Sequence, residues 1–477
     1  MKAAARKDMI DVDALRVGMF VHLDLGWMSH PFPLGNFKIS EAGQIATIRS
    51  LGLRQVRWSP AQSDVIAPTP ASGGADSGAA VAVAAAASAS TPAPARETST
   101  AATAATATEA AAESVAIPTP APTATLEPPA AQARRQHREQ LAREAESLAL
   151  CERQFAEAAL ACQRLSDCAL TRPQQAREQA EGLSKALVDK MLIAGDLCIR
   201  LLSDAAGDKA SVHALNVTVI SLLMGRTFNL AEADMLDLGV GAMLHDIGKL
   251  ELPERARHHD EQLNSAELRQ YEDHVARGVV LARKMGLSGG ATLVLAQHHE
   301  HADGSGFPLR LGTDRMTAAA RIVSLVNRYD NLCNPHRPSQ AKTPHEALAL
   351  LFAQGKTKFD SAILGALIRM MGVYPAGSTV QLTDDRYALV VGVNSSRPLR
   401  PRVLVHEAGV PRSEALSVDL ERLLGVGIRR GIKPLQLPGA TLDYLAPPAR
   451  VSYFFEPLRA AYAAELRCEA EAAHCDP

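Results

Sequence analysis

Aromatic residues are scarce: Phe, Trp and Tyr make up 4% of the 477 residues, although apolar residues as a whole reach 47%. Alanine fills the gap, much of it between about Ala67 and Ala131, and alanine buries too little surface to build a core there. Length alone would allow about three domains at roughly 150 residues each. Without the alanine-rich segment about 340 to 400 residues remain, enough for one large core and a small companion. Charge of one sign is also lacking. Fifty basic against 52 acidic residues leave a net charge of -2, which excludes a global footprint for a nucleic-acid polymer or another polyanion but leaves room for a local basic pocket. The seven cysteines (Cys151, Cys162, Cys168, Cys198, Cys333, Cys468, Cys475) are odd in number and form no Cys-x-x-Cys pair. They read as reduced thiols, neither a disulfide framework nor a zinc site. No run of 18 apolar residues occurs, and Asp8, Asp11 and Asp13 interrupt the start. Neither a signal peptide nor membrane insertion is expected, and the expected location is cytoplasmic.

What is present divides the chain into six stretches. Residues 1–64 alternate strand-like runs at Gly18–Val21 and around Val56 and Trp58 with a helical pattern at Ile45, Ile48 and Leu51, a small α+β module. Residues 65–130, rich in Ala, Thr, Ser and Pro, have the composition of a disordered linker. Residues 131–182 form a charged helical connector with Arg and Glu at i, i+4 spacing, which suits a solvated helix or a short coiled coil. From 183 to 371 apolar residues recur at helical spacing (Leu183, Leu187, Met191, Cys198, Leu202 first), the pattern of an all-helical domain. Residues 372–446 change period: Val380 and Leu382, a turn at Asp384-Asp385, then Tyr387, Leu389, Val391 and Val393 alternate as a hairpin would, with a third run at Val403–Val405. Residues 447–477 read as a helical tail. The fold class expected is mainly α, with the small N-terminal module and a short C-terminal β appendage.

Seven of the 15 histidines lie between His245 and His301. His213 shares a helical pattern with Val217, Ile220 and Met224, so its imidazole faces inward; a lone inward histidine is ordinarily a hydrogen-bonded core residue. The pair His245-Asp246 follows Val240, Met243 and Leu244, which holds both polar groups at the end of a buried helix. Burying an unpaired carboxylate is very costly, and a bound cation offsets that cost. An Asp beside a His suits a two-metal site, because its two oxygens can bridge both ions while the imidazole binds one. Such ions lower the pKa of water and clamp a phosphoryl oxygen, the chemistry of phosphate-ester hydrolysis. His274 and His298-His299 add inward groups from further helical segments, and four separate segments that each present His or Asp inward favour a metal site over unrelated core residues. Lys249, one turn after Asp246, is placed to neutralise a substrate phosphate.

These residues resemble the HD-GYP family, the branch of metal-dependent HD phosphohydrolases that hydrolyses the bacterial second messenger cyclic di-GMP. The resemblance rests on His213-Ala-Leu-Asn-Val217, His245-Asp-Ile-Gly-Lys249, Tyr271-Glu-Asp-His274, His298-His-Glu300 and Asp303-Gly-Ser-Gly-Phe-Pro308, in matching order. The segment HHEHADGSGFP is far more specific than the His-Asp doublet. Residues 11–64 look like a small domain that often precedes HD-GYP domains, through Gly18–Val21, Trp27 and His30-Pro31-Phe32. The resemblance implies an HD-type metal-binding fold and two divalent ions, Fe or Mn. It implies metal ligands His213, His245, Asp246, His274, His298, His299 and Asn327, with Asp246 bridging. Asp246 and Lys249 would be catalytic, and Lys249, Gly304, Gly306, Phe307 and Arg337 would contact substrate. It implies a signalling enzyme acting on a cyclic dinucleotide, giving pGpG, GMP or both. Its protein partners would be signalling proteins such as diguanylate cyclases, and an oligomer is open.

The chain departs from the family in four places. The tyrosine of GYP is Phe307, which keeps stacking area and loses a hydroxyl. The last ligand, an Asp in the family, aligns with Asn327, while Asp330 matches the second Asp of that pattern. Asn coordinates through a carbonyl oxygen but brings no charge, which weakens one metal position. Position 209 is Lys, so the Glu that some members use for a third metal is absent. The family's Arg-Pro pair, Arg337-Pro338 here, is displaced by one residue. Asn327 keeps alive an alternative reading, a catalytically degenerate domain that acts as a cyclic di-GMP sensor or protein-interaction module. An HD hydrolase for a different nucleotide is disfavoured by Asp303–Pro308.

Overall fold

The computed structural model describes residues 9–25, 32, 36–64, 129–193, 196–203, 207–258, 263–355, 357–394, 397–423 and 425–457. Nearly all of the segment expected as a linker lies outside them, as do Trp27, His30, Pro31, Cys468 and Cys475. The five described cysteines are buried free thiols.

The N-terminal module comprises β1 (Met9–Asp11), β2 (Phe20–His22), β3 (Asn36–Lys38), α1 (Ala42–Ser50) and β4 (Gln55–Trp58). Its strands form an antiparallel sheet in the order β1-β4-β2-β3. Alternation of buried and exposed positions in β4 turns Val56 and Trp58 inward, against Val21, Ile39 and Ile48. This is the expected α+β module.

Next come α2 (Pro129–Ala169), α3 (Pro173–Ile193), β5 (Leu197–Leu201), α4 (Lys209–Thr227), α5 (Glu232–Leu244), α6 (Ser265–Glu272), α7 (His274–Met285), α8 (Gly289–Gln297), α9 (Ala318–Cys333), α10 (Pro344–Gln354) and α11 (Ser361–Met371). Then follow β6 (Thr379–Leu382), β7 (Tyr387–Asn394), β8 (Arg402–Val405), β9 (Ser417–Asp419), β10 (Ile428–Ile432), α12 (Gly439–Leu445) and β11 (Tyr453–Pro457). Helix dominates, as expected. α4 is buried on almost every side, with Val217, Val219, Ile220, Leu222 and Met224 all in the core. Among the described residues no helix is long and apolar enough to cross a membrane. Lys190 of α3 is itself buried and donates to the Phe32 carbonyl at 3.1 Å, a tie to the N-terminal module.

Three expectations need correction. The solvated-helix reading of 131–182 fails in the second half of α2, where Cys151, Phe155, Ala158, Cys162, Leu165 and Ala169 form a buried stripe. Small side chains make that stripe, so the surrounding charges mask it in the sequence. Residues Leu197–Leu201, read as helix, are a strand. All five are buried, so no alternation betrays the strand, and a short apolar run fits either period. Residues Tyr453–Pro457, read as the start of a helical tail, pair antiparallel with β5 from Tyr453↔Leu201 to Pro457↔Leu197. The expected C-terminal β region is present, and its sheet extends beyond it: the order β10-β6-β7-β5-β11 runs through a strand that lies between two helices of the helical region. The hairpin expected at 380–393 is β6–β7, with Asp385 at φ 69° in its turn.

Candidate metal centre

Four stretches of backbone bring the site together. Asp208 caps α4 by accepting from the Ala210 and Ser211 amides, which sets His213 in the first turns of that helix. α5 ends at Leu244, and Asp246 (φ -98°, ψ 6°) leaves the helical path into the tight turn Ile247–Glu251. A Cβ on Gly248 in that turn would lie 2.0 Å from the His274 carbonyl oxygen and 2.5 Å from the Gly278 nitrogen. Only glycine lets the turn press against α7, and that contact brings Asp246 beside His274. His274 opens α7, and His298 and His299 follow the end of α8.

The residues converge on Asp246. His245 Nε2 stands 3.4 Å and His213 Nε2 3.7 Å from Oδ2 of Asp246. His274 Nε2 stands 3.4 Å and His298 Nε2 3.7 Å from Oδ1. Ligand atoms of His213, His245 and Asp246 lie within 4.8 Å of one another, as do those of Asp246, His274, His298 and His299. The cluster thus has two lobes that share one carboxylate.

For His213, His245, His274 and His298 the far side of the imidazole settles what faces inward. His245 Nδ1 donates to the Ala242 carbonyl at 2.7 Å, His298 Nδ1 to Leu295 at 2.8 Å, and His274 Nδ1 to Tyr271. His213 Nδ1 donates to Asp330 Oδ2 at 2.6 Å. With the ring proton on Nδ1, each Nε2 carries a lone pair. Yet His213 and His245 Nε2 are 3.2 Å apart, and so are His274 and His298 Nε2. Two lone pairs at that distance repel unless a cation lies between them. Asp246 Oδ1 is moreover buried without a hydrogen-bond partner, an arrangement that costs free energy unless an ion completes it. The donor set of imidazoles around one carboxylate fits divalent metal binding.

Electrostatics agree. Burial pushes the Asp246 carboxyl up, but Lys249 and then His245 outweigh it and hold it well below the usual carboxylate range. Burial lowers His274 to about 3, and lowers His298 and His299 as well. These imidazoles are neutral at pH 7, the form that ligates. Lys249 is raised: burial opposes its charge, but Asp246 at 2.6 Å prevails. Its ammonium also sits 5.3 Å over the Tyr271 ring.

Above the cluster opens a cleft of about 1140 Å³ lined by Asp246, Lys249, Phe307, Asn327 and Arg337 among others. Phe307 stacks on His299 at 4.5 Å and 18°. Gly304 and Gly306 are not in the lining. A Cβ on Gly306 would meet the His299 oxygen and His301 nitrogen at 2.4 Å, so its glycine serves a close approach within the loop and not an approach to ligand. Buried Glu300 holds this loop by accepting from the Leu309 and Leu311 amides at 2.7 and 2.8 Å. Asn327 is buried against the cleft, and its Oδ1 accepts from Asn331 Nδ2 at 2.6 Å.

Sequence reasoning missed the role of Asp330. It stands behind His213, whose Nδ1 donates to it, and also accepts from Asn216 and Asn334, both at 2.9 Å. Those amides reach Val451 in turn, at 3.1 and 2.8 Å. Asn216 lies three residues after His213, a helical neighbour, and that spacing was the available signal. The exposed pair His258 and His336, stacked at 4.0 Å and 16° in the cleft, was also missed; no spacing in the sequence relates them.

Comparison with known proteins agrees with this geometry. Residues 196–363 match the model of the HD domain, and residues 8–180 match a domain of unknown function, DUF3391. The chain is similar to the cyclic di-GMP phosphodiesterase PA4108 of Pseudomonas aeruginosa, 26% identical over 41% of this chain and 47% of the relative. It is similar to the cyclic di-GMP phosphodiesterase PdeB of Borreliella burgdorferi, 23% identical over 40% of this chain and 51% of the relative. A third relative is the 3'3'-cGAMP-specific phosphodiesterase 3 of Vibrio cholerae, 28% identical over 36% of this chain and 37% of the relative. The chain spans about half the length of the curated relatives it matches. The two-lobed His/Asp cluster and the segment from His298 to Pro308 both lie within the stretch that matches the HD domain, so the chain carries an HD domain, and the stretch that matches DUF3391 precedes it.

Proposed function

We propose that the protein is a metal-dependent phosphodiesterase that hydrolyses cyclic di-GMP to pGpG, GMP or both. The observation that carries this reading is the pair of facing Nε2 lone pairs on each side of Asp246, each pair 3.2 Å across. In this reading His213, His245 and Asp246 would hold one divalent ion and Asp246, His274, His298 and His299 a second, with Fe or Mn as the metals. Two such ions supply Lewis acidity and a nucleophile from water at neutral pH.

The chain's own residues do the remainder. Neutral His274, His298 and His299 leave their lone pairs available at pH 7. Asp246 stays ionised. Lys249, held charged beside Asp246, and Arg337 in the cleft lining neutralise charge that develops on the phosphoryl oxygens. Phe307, braced on His299, forms part of one wall of the cleft.

One observation favours the second reading, a degenerate domain that binds a cyclic dinucleotide without cleaving it. Asn327 brings no charge to the site, and one lone pair of its carbonyl oxygen is already engaged by Asn331. In either case a role in cytoplasmic signalling, with diguanylate cyclases among the partners, follows from the resemblance. The test is hydrolysis of cyclic di-GMP, with cyclic GMP-AMP as comparison, by protein loaded with Fe(II) or Mn(II) under reducing conditions and metal content measured in parallel. Cleavage supports the enzyme. Metal-replete protein that leaves cyclic di-GMP intact, while Asn327→Asp cleaves it, supports the degenerate domain.

A further inference from the structure

We propose that His258 and His336 form a nucleobase-stacking subsite at the cleft, which makes the site selective for purine-bearing phosphodiesters over bare phosphate esters. The nature of the reacting group rests on the phosphodiesterase reading; the binding of a base does not.

The two rings come from separate segments. His258 follows the short turn Glu254–Ala256, and His336 lies between α9 and the turn Pro338–Gln340, directly before Arg337. Their centroids are 4.0 Å apart and their planes within 16° of parallel, although both residues are exposed. The cleft wall still takes part of the His258 ring out of water, and this partial desolvation, then His336 and then Lys249, lower it to about 4. At neutral pH that ring is therefore an uncharged π surface.

The other rings in the cleft are committed. Phe307 lies flat on His299, and Tyr271 packs edge-on against Phe307 and tilted against His274. Phe359 is buried against His301. Among the described residues His258 and His336 are thus the exposed stacked rings in a lining that also carries Lys209, Lys249 and Arg337. Cations meet a phosphate, and a flat neutral face beside them meets a base. The cleft, about 1140 Å³, is larger than the roughly 300–1,000 Å³ of ordinary small-molecule sites, room for a ligand with two bases. A base on the outward face of the stack needs no rearrangement, and one between the rings needs them to part to roughly 7 Å, two stacking distances.

The test is equilibrium binding of a 2-aminopurine cyclic dinucleotide to the full-length, metal-free chain, followed by fluorescence. Wild-type protein should quench the probe on binding. The double variant His258→Ala/His336→Ala should lose most of the quench and bind about tenfold more weakly. His336→Phe should keep both, and ribose 5-phosphate should bind all three proteins alike. Absence of quenching or of binding in the wild type, or a double variant with wild-type quench and affinity, overturns the subsite. Quenching by a protein that cleaves no phosphodiester when loaded with metal upholds the subsite and removes only the catalytic reading.

Discussion

Replacing Asp330 by Asn tests how the site is organised. Asp330 accepts three hydrogen bonds, from His213 Nδ1 at 2.6 Å and from the Asn216 and Asn334 amides at 2.9 Å. An asparagine has one acceptor oxygen, so it cannot serve all three. If that oxygen keeps the two amides, its own NH₂ group faces His213 and drives the ring proton from Nδ1 to Nε2. The proton then occupies the position where the lone pair faces His245 and Asp246. Loss of the charge-assisted bond costs about 1.5–3 kcal/mol of stability. Loss of the orienting carboxylate lowers affinity for a metal at the His213/His245 lobe by about 10- to 100-fold. If the oxygen turns to His213 instead, the Asn216 and Asn334 amides keep Val451 but each loses its second acceptor and faces an NH₂ group, at about 1–3 kcal/mol each. Both orientations destabilise the fold, and the first also empties one lobe. Urea unfolding of metal-free protein gives the stability term, and titration with Mn(II), read by metal analysis after dialysis, gives the stoichiometry. Asp330→Asn should retain one tight equivalent, in the His274/His298/His299 lobe, and bind the other weakly. Two equivalents at wild-type affinity would refute the assignment of Asp330 as the group that orients His213.

Three further outcomes are expected. Gly248→Ala should destabilise the protein by about 3 kcal/mol or more and abolish metal uptake together, because its Cβ would overlap backbone atoms of α7; thermal melting and metal analysis check this. Asn327→Asp should raise metal affinity by about tenfold or more by adding charge at the cleft wall, a change that titration calorimetry reads directly. Metal-free protein should lose stability as pH falls from about 6.5 towards 3. The unfolded chain protonates His274 near 6.5 and the folded one only near 3, so the unfolded state binds more protons in that window. This one residue contributes roughly 5 kcal/mol across it. Urea midpoints that stay flat between pH 6.5 and 4 would contradict the buried, neutral imidazole.

Much of the site was legible because its residues occur in short local motifs. His245 and Asp246 are adjacent, His298 and His299 are adjacent, and Lys249 is one turn on, so a reader of the chain sees each fragment whole. The support for those fragments was less legible. Asp330 showed only as the second Asp of a helical pattern, because alignment along one helix says nothing of which neighbour its carboxylate meets. The stacked pair of His258 and His336 joins segments almost 80 residues apart, and no period connects them. Fold class followed the same division. Long amphipathic helices announce themselves through period, whereas β5, buried on both faces, shows none.

The amino-acid sequence by itself determined that the protein has a helical domain with an inward cluster of histidines about one aspartate, a small α+β module before it, and no excess charge to hold a polyanion globally. Composition and local spacing suffice for those conclusions, because burial of neutral imidazoles and apolar stripes is set by neighbours a turn away. Only the tertiary structure decided that Asp246 divides its two oxygens between two histidine pairs and that Asp330 stands behind His213. It alone showed that the C-terminal strand β11 completes a sheet through β5. Those outcomes depend on contacts between segments distant in the chain, and the hydrogen-bond directions that fix each imidazole exist only once those segments meet.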